Sequence, residues 1–343
     1  MAFRFVPGLS PRRAASGAVR ILRATAKANA AAARRTGSLM QRGAEALKKD
    51  EPAHAPPGRF VEVDGVRVHV VVRGKGRPVV LIHGNGTMAE DFVICGLVDQ
   101  LAKTYRVIAI DRPGFGYTER PRHWVWTAAA QARLIGHVLA GLNVERPVVV
   151  GHSWGTIVSL ALAVHEGLDL RGLVLLSGYY YPGRRADVAL IAPLAVPGVG
   201  DAARALMPGA VGQMLAPKVF RHVFKPQAVP ARFTARFPVA LSLSATQSRA
   251  SAEDTASMNT AVALMQPRYA GLRLPVAILS GDADAIVDPA EQSSRLHAEL
   301  AGSTLTLLPG QGHMIHYFAK ARILRAVDAQ MALTGRTLAW RSR

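Results

Sequence analysis

The chain has 343 residues, half of them hydrophobic, which is ample for a buried core, and its single cysteine, Cys95, rules out an intramolecular disulfide. Lys and Arg outnumber Asp and Glu by 42 to 23, a formal net charge of +19 that favours contact with polyanions and says nothing about fold. No apolar run approaches the length of about 18 residues that a membrane-spanning helix requires, and nothing repeats at a solenoid or propeller period.

Residues 1–50 carry 11 Lys and Arg against two acids, Glu45 and Asp50, a net of +9. Their Ala-rich stretch over 24–33 favours helix, but large apolar residues are too sparse to build a strong hydrophobic face. The arm reads either as a peripheral contact with an anionic membrane or as a solvated tail. Its make-up is also reminiscent of an organelle transit peptide, and it lacks the apolar core of a secretory signal. With one cysteine, a reducing, cytoplasmic setting is expected. No helix-turn-helix, zinc-finger or RNA-binding aromatic signature accompanies the charge, so a nucleic acid partner is set aside. A Pro-rich linker ends at Gly58, and 1–58 is taken as the first unit.

From Arg59 the pattern turns to strands. Residues 60–64 and 66–72 are rich in β-branched side chains and flank Asp64-Gly65, a hairpin signal. Residues 78–82 form a continuously apolar strand suited to a sheet covered on both faces. A helix over 88–103, a strand over 105–110, a helix over 127–142 and a strand over 147–150 follow. A helix over 154–166 then leads to a strand over 172–176. The alternation resumes with a strand over 275–279, a helix over 289–300, a strand over 304–308 and a last helix from about 314. Such alternation predicts a mostly parallel sheet with helices on both faces. The interrupting segment, 183–271, is too long for a plain loop and is expected to be a helical lid. The core is then 59–182 together with 272–343. Cys95, in an apolar run, is expected as a buried hydrophobe.

Gly151-His152-Ser153-Trp154-Gly155 follows one apolar strand and opens a helix, the setting of a G-x-S-x-G nucleophile elbow. Here the chain resembles the α/β-hydrolase superfamily over about 59–335. His83-Gly84-Asn85-Gly86 matches the family's oxyanion-hole loop, and Asp111-Arg112-Pro113-Gly114-Phe115-Gly116 its turn after the following strand. Gly281-Asp282-Ala283-Asp284 and Gly310-Gln311-Gly312-His313 match its late acid and final histidine. The resemblance implies the α/β-hydrolase fold and a serine hydrolase. Ser153 is then the nucleophile, His313 the base and Asp284 its orienting carboxylate. The backbone N–H groups of Asn85 and Trp154 form the oxyanion hole. No cofactor or metal is expected.

Each assignment has a rival. Ser153 could be an ordinary helix N-cap. His316 and His297 compete with His313, and Asp282 and Asp288 with Asp284. His83 and His152 are expected to satisfy local backbone groups, and Asp111 to cap the turn after it. The elbow is similar to that of epoxide hydrolases and haloalkane dehalogenases, except that those carry Asp where this chain has Ser153. Serine suits acyl transfer, so the expected reaction is hydrolysis of an ester-like bond (carboxylester, thioester or lactone) in a small apolar substrate. C–C bond hydrolysis, perhydrolase activity and a non-catalytic ligand-binding role on the same fold stay open. Tyr179-Tyr180-Tyr181 either line the site mouth or pack under the lid, and Arg184, Arg185, Arg221, Arg232 and Arg236 are candidates for attracting an acidic group.

Overall fold

The computed structural model describes residues 56–333, apart from 167, 184–191, 197 and 207–208. The basic arm expected at 1–50 and the arginines at 184 and 185 lie outside them. Among the described residues, no helix is long and apolar enough to cross a membrane.

Eight strands form one sheet, in the spatial order 59–63, 66–73, 106–110, 78–82, 148–152, 172–176, 276–281 and 304–308, numbered β1 to β8 along the chain. β1 (Arg59–Val63) and β2 (Val66–Arg73) make the opening hairpin. Asp64 and Gly65 at its tip both have left-handed backbones, φ 53° and 72°, the conformation a two-residue turn demands. β2 pairs antiparallel with β4 (Arg106–Ile110), and every later pairing is parallel. These involve β3 (Pro78–Ile82), β5 (Val148–His152), β6 (Gly172–Leu176), β7 (Val276–Gly281) and β8 (Thr304–Leu308).

Period-two alternation sends neighbouring residues of each strand into different cores. Val80, Ile82, Ile108 and Ile110 join one apolar layer, beside α3 (Ala128–Gly141) and α4 (Gly155–Val164). Val79, Leu81, Val107 and Ala109 join the other, beside α1 (Ala89–Ile94) and α2 (Leu97–Leu101). Cys95 is wholly buried in that second layer. The expected single helix over 88–103 is thus two helices. Gly96 between them takes φ 81°, a left-handed value that ends a helix and that glycine adopts without cost.

Between β6 and β7 the chain runs through α5 (Val199–Leu206), α6 (Gly209–Phe224), α7 (Ala231–Arg236), α8 (Val239–Ser242) and α9 (Ala245–Met265). The helix expected over 289–300 opens as a wide π-type turn over Ala290–Ser294 before α10 (Arg295–Glu299). That turn presents Gln292, whose Oε1 accepts the N–H groups of Tyr180 and Tyr181 at 2.7 and 2.9 Å. The chain closes with α11 (Ile315–Phe318) and α12 (Lys320–Ala332).

Chain order reverses at β3: β4 lies on one side and β5 on the other. In an open α/β sheet, the crevice at the carboxyl ends of such strands is the natural ligand site. Both strands end there in tight backbone packing. A Cβ on Gly155 would sit 2.3 Å from the carbonyl oxygen of Ile82 and 2.6 Å from that of His83. Overpacking against backbone cannot be relieved by rotamer change, so Gly155→Ala is expected to destabilise the fold by about 3 kcal/mol. Gly141→Ala, with open space around its Cβ, should shift stability by less than about 1 kcal/mol. Equal denaturant midpoints for the two variants would contradict this packing.

Candidate active site

Ser153 sits at the turn from β5 into α4 with φ 52°, a left-handed backbone for a residue with a side chain. Three contacts hold it there. Its N–H donates to the Leu176 carbonyl of β6 at 2.9 Å, and its own carbonyl accepts from Thr156 N–H at 3.0 Å and Thr156 Oγ1 at 2.7 Å. The flanking glycines are required by approach distance, since a Cβ on Gly151 would meet Ser159 Oγ at 2.4 Å. Among the described residues the Ser153 hydroxyl caps no N–H of α4 and meets the His313 ring instead.

The hydroxyl meets a side chain 160 residues away. His313 Nε2 lies 2.9 Å from Ser153 Oγ, and His313 Nδ1 lies 2.8 Å from Asp284 Oδ2. The other carboxylate oxygen of Asp284 accepts the N–H groups of Ile286 and Val287 at 2.8 and 3.0 Å. With Nδ1–H donated to the carboxylate, Nε2 is left to accept the serine proton. All three residues are buried. The rival residues have other partners. Asp282 accepts from Gly310 N–H, and Asp288 from Ala290 and Glu291 N–H at the start of the π-type turn. His297 meets Ser303 Oγ, and His316 donates to Asp91 at 2.9 Å.

The loop after β3 runs against the nucleophile: a Cβ on Gly84 would be 3.1 Å from Ser153 Cβ. The carbonyl of Gly84 accepts from His83 Nδ1 at 2.8 Å and from Arg112 Nη2 at 3.0 Å. A planar trans peptide points its N–H opposite its C=O. Fixing the Gly84 carbonyl therefore fixes the direction of the Asn85 N–H. Among the described residues, the N–H groups of Asn85 and Trp154 donate to no backbone carbonyl. The Asn85 side chain is anchored to α9, donating to Thr255 Oγ1 at 2.9 Å and to the Ser251 carbonyl at 3.2 Å.

Sequence reasoning missed the charge network behind this loop. Arg112 is fully buried, stacks over the Trp154 and Phe115 rings, and donates to the His83 carbonyl at 3.0 Å. Its guanidinium pairs with Asp254 of α9, and Arg120 reaches the same carboxylate at 3.1 Å. Gln131 Nε2 donates to Asp254 at 3.0 Å, and Trp154 Nε1 to the Asp254 carbonyl at 3.1 Å. Arg112 stands in a turn the sequence already singled out, whereas Asp254 lies 142 residues away with no local signal.

Asp111 is structural, but in a wider sense than the cap expected of it. It accepts Ala89 N–H at the start of α1, Tyr117 N–H beyond its own turn, and the His69 ring at 2.7 Å. His83 and His152 serve backbone groups as expected: His83 Nε2 accepts Arg112 N–H, and His152 Nε2 donates to the His313 carbonyl at 3.2 Å. The three tyrosines are buried. Tyr179 and Tyr181, with Asp284 and Met258, also border a cavity of about 720 Å³ that neither Ser153 nor His313 lines. Arg221, Arg232 and Arg236 are exposed on the insertion. Among the described residues, no group of three His, Cys, Asp or Glu is placed to hold a metal.

Burial, reinforced by the Arg112 guanidinium, pushes the His83 ring down to about 3, and burial with the neighbouring His316 ring pushes His152 down as well. Both rings are neutral in the folded protein at neutral pH, whereas in the unfolded chain they take up protons near the ordinary 6.5. The His83 contribution is therefore complete above about pH 6.5 and is lost as pH falls toward 3, and the His152 contribution is lost in the same direction. The expected loss for His83 is about 1.4 kcal/mol per pH unit in that window. Denaturant unfolding at pH 7 and pH 5 measures it, and His83→Gln should remove its share of the slope. An equal unfolding free energy at both values would refute the assignment.

A sequence profile of the α/β-hydrolase fold matches residues 77–320. Among curated proteins, haloalkane dehalogenase 2 of Mycobacterium tuberculosis is 33% identical over 124 residues, covering 36% of this chain and 43% of that one. A 2-hydroxymuconate semialdehyde hydrolase of Pseudomonas sp. is 36% identical over 135 residues, covering 38% and 48%. The chain thus spans less than half the length of these two relatives. Among solved structures, an α/β-hydrolase fold protein of Burkholderia ambifaria superposes with a TM-score of 0.67 at 23% identity, covering 80% of this chain and 97% of that one, a likeness of fold. With about seven-tenths of its length matched to that profile, the chain belongs to the α/β-hydrolase fold family.

Proposed function

We propose that the chain is a serine hydrolase that cleaves an ester-like bond of a small apolar substrate through an acyl-enzyme. The observation that carries this reading is the unbroken hydrogen-bonded path Ser153–His313–Asp284, at 2.9 and 2.8 Å. An unassisted hydroxyl is a poor nucleophile, so His313 takes the proton from Ser153 as oxygen attacks the carbonyl carbon. Asp284 stabilises the imidazolium, and the N–H groups of Asn85 and Trp154 receive the oxyanion. His313 then protonates the leaving group, and water activated by the same ring releases the acid.

Halide displacement does not suit this residue set, despite the dehalogenase among the relatives. A serine attacking a saturated carbon would leave an alkyl ether on the enzyme, and an ether has no carbonyl for water to attack. The semialdehyde hydrolase likeness favours a second reading, hydrolysis of a C–C bond adjacent to a ketone, where the same serine or a His313-activated water attacks that ketone.

Ser153→Ala is expected to lower turnover of short p-nitrophenyl esters by about 10⁴-fold or more and to abolish fluorophosphonate labelling. Asp284→Asn should cost about as much while leaving the serine in place. A folded wild-type chain that hydrolyses no ester and does not take the probe would refute the ester reading. Turnover of a vinylogous diketone acid alone would instead select C–C cleavage.

A further inference from the structure

Charge is unevenly distributed over the insertion between β6 and β7. From residue 202 to 252 there are seven Lys and Arg and no Asp or Glu. The acids resume at Glu253 and Asp254, which turn inward to Arg120 and Arg112. Within that acid-free stretch, α6 is split lengthwise. Its inner side carries Gly212, Ala216, Phe220 and Phe224 at intervals of four residues, one face of a helix. Phe220 packs edge-on against Phe233 and Phe237, and Phe224 against Phe233 and Tyr317.

The outer side is not polar, as a solvated helix face should be. Met214, Leu215 and Val219 are 70%, 42% and 55% exposed. Lys218, Arg221 and His222 stand among them, and Lys225 follows one residue past the helix end, all exposed. Among the described residues, none of Lys218, Arg221 and Lys225 belongs to an ion pair. Aliphatic side chains gain nothing from water, and the hydrated cations among them remain free to meet a counter-charge. A surface combining both is satisfied where hydrocarbon lies directly beneath a sheet of negative charge. A second copy of this chain meets the repulsion of two +19 charges. Nucleic acid would use the cations but offers no hydrocarbon to Met, Leu and Val, and among the described residues this helix shows no exposed Phe, Tyr or Trp ring for base stacking.

We propose that the outer face of α6, with Met214, Leu215 and Val219 framed by Lys218, Arg221 and Lys225, docks on the surface of an anionic lipid bilayer. The aliphatic side chains enter the headgroup boundary, and the cations meet the lipid phosphates. The docked helix leads directly into the site: Gln227, just beyond it, donates to the Gly310 carbonyl at 2.6 Å and accepts Gly312 N–H at 3.0 Å, in the loop that carries His313. Docking is independent of which bond the serine cleaves.

The test uses the full chain. Cys95 is wholly buried, so a nitrobenzoxadiazole thiol label placed through Met214→Cys reports the α6 face alone. A label placed through Glu62→Cys, on the edge strand β1, serves as the control. The label at 214 should brighten several-fold and shift to the blue with vesicles of phosphatidylcholine containing about one-third phosphatidylglycerol, and not with phosphatidylcholine alone. The label at 62 should not respond. K218E/R221E/K225E should weaken vesicle partition by about five-fold for each cation replaced, while still reacting with fluorophosphonate at the wild-type rate. If the chain sediments with vesicles but the label at 214 responds no more than that at 62, docking lies elsewhere and the proposal fails. It fails equally if the chain does not sediment, if duplex DNA evokes the same response, or if the signal rises with protein concentration in the absence of lipid.

Discussion

The site depends on one strained residue. A side-chain-bearing residue in the left-handed region costs about 1–3 kcal/mol, and Ser153 occupies it with φ 52°. The cost is offset by the sheet around it. The parallel pairing of β5 with β3 and β6 is buried on both faces, and the bond from Ser153 N–H to the Leu176 carbonyl continues that ladder past the end of the strand. The turn cannot relax without breaking sheet hydrogen bonds or opening the contact of Gly155 with the Ile82 carbonyl. The hydroxyl is thereby held above the strand ends within reach of His313, and binding energy need not be spent on assembling the pair.

The second constraint is the burial of Arg112. Its ion pair with Asp254 is weak evidence for stability, since desolvating two charges consumes most of their attraction. Its value is positional. The guanidinium holds the carbonyls of both His83 and Gly84, and the Gly84 oxygen sets how the Asn85 peptide presents its N–H. Because the counter-charge comes from α9, and Asn85 is itself bonded to Ser251 and Thr255 of α9, the donors beside Ser153 are set jointly by the sheet and the insertion.

What the sequence disclosed, and what it withheld, follows from the range of the interactions. The hairpin at Asp64-Gly65, the apolar strands and the elbow are properties of a few consecutive residues, and composition was enough to place them. The break at Gly96 was missed because the apolar residues on either side keep a helical spacing through it, and only the left-handed glycine interrupts the backbone. The family's spacing, three residues after Gly281, selected Asp284 over Asp282 and Asp288, but the contacts that distinguish them lie outside the local sequence. All three follow β7 within seven residues, and they differ in whether an imidazole, the Gly310 N–H or the first N–H groups of a π-type turn faces the carboxylate. The pairing of Arg112 with Asp254 spans 142 residues, and no local pattern encodes it.

The insertion joins two requirements that need not conflict. Within it, Glu253 and Asp254 are committed inward to arginines of the core, and Asp201 pairs with Arg122. The insertion's exposed Lys218, Arg221, Lys225, Arg232 and Arg236 belong to none of these pairs. At ordinary ionic strength, exposed charges farther apart than about 8–10 Å barely interact, whereas the buried pairs are shielded from salt. Replacing a cation on the outer face therefore leaves the buried pairs of Arg112 and Arg120 intact. The surface chemistry of the insertion is free to vary with whatever it meets, at little cost to the geometry that its inner face imposes on the candidate nucleophile.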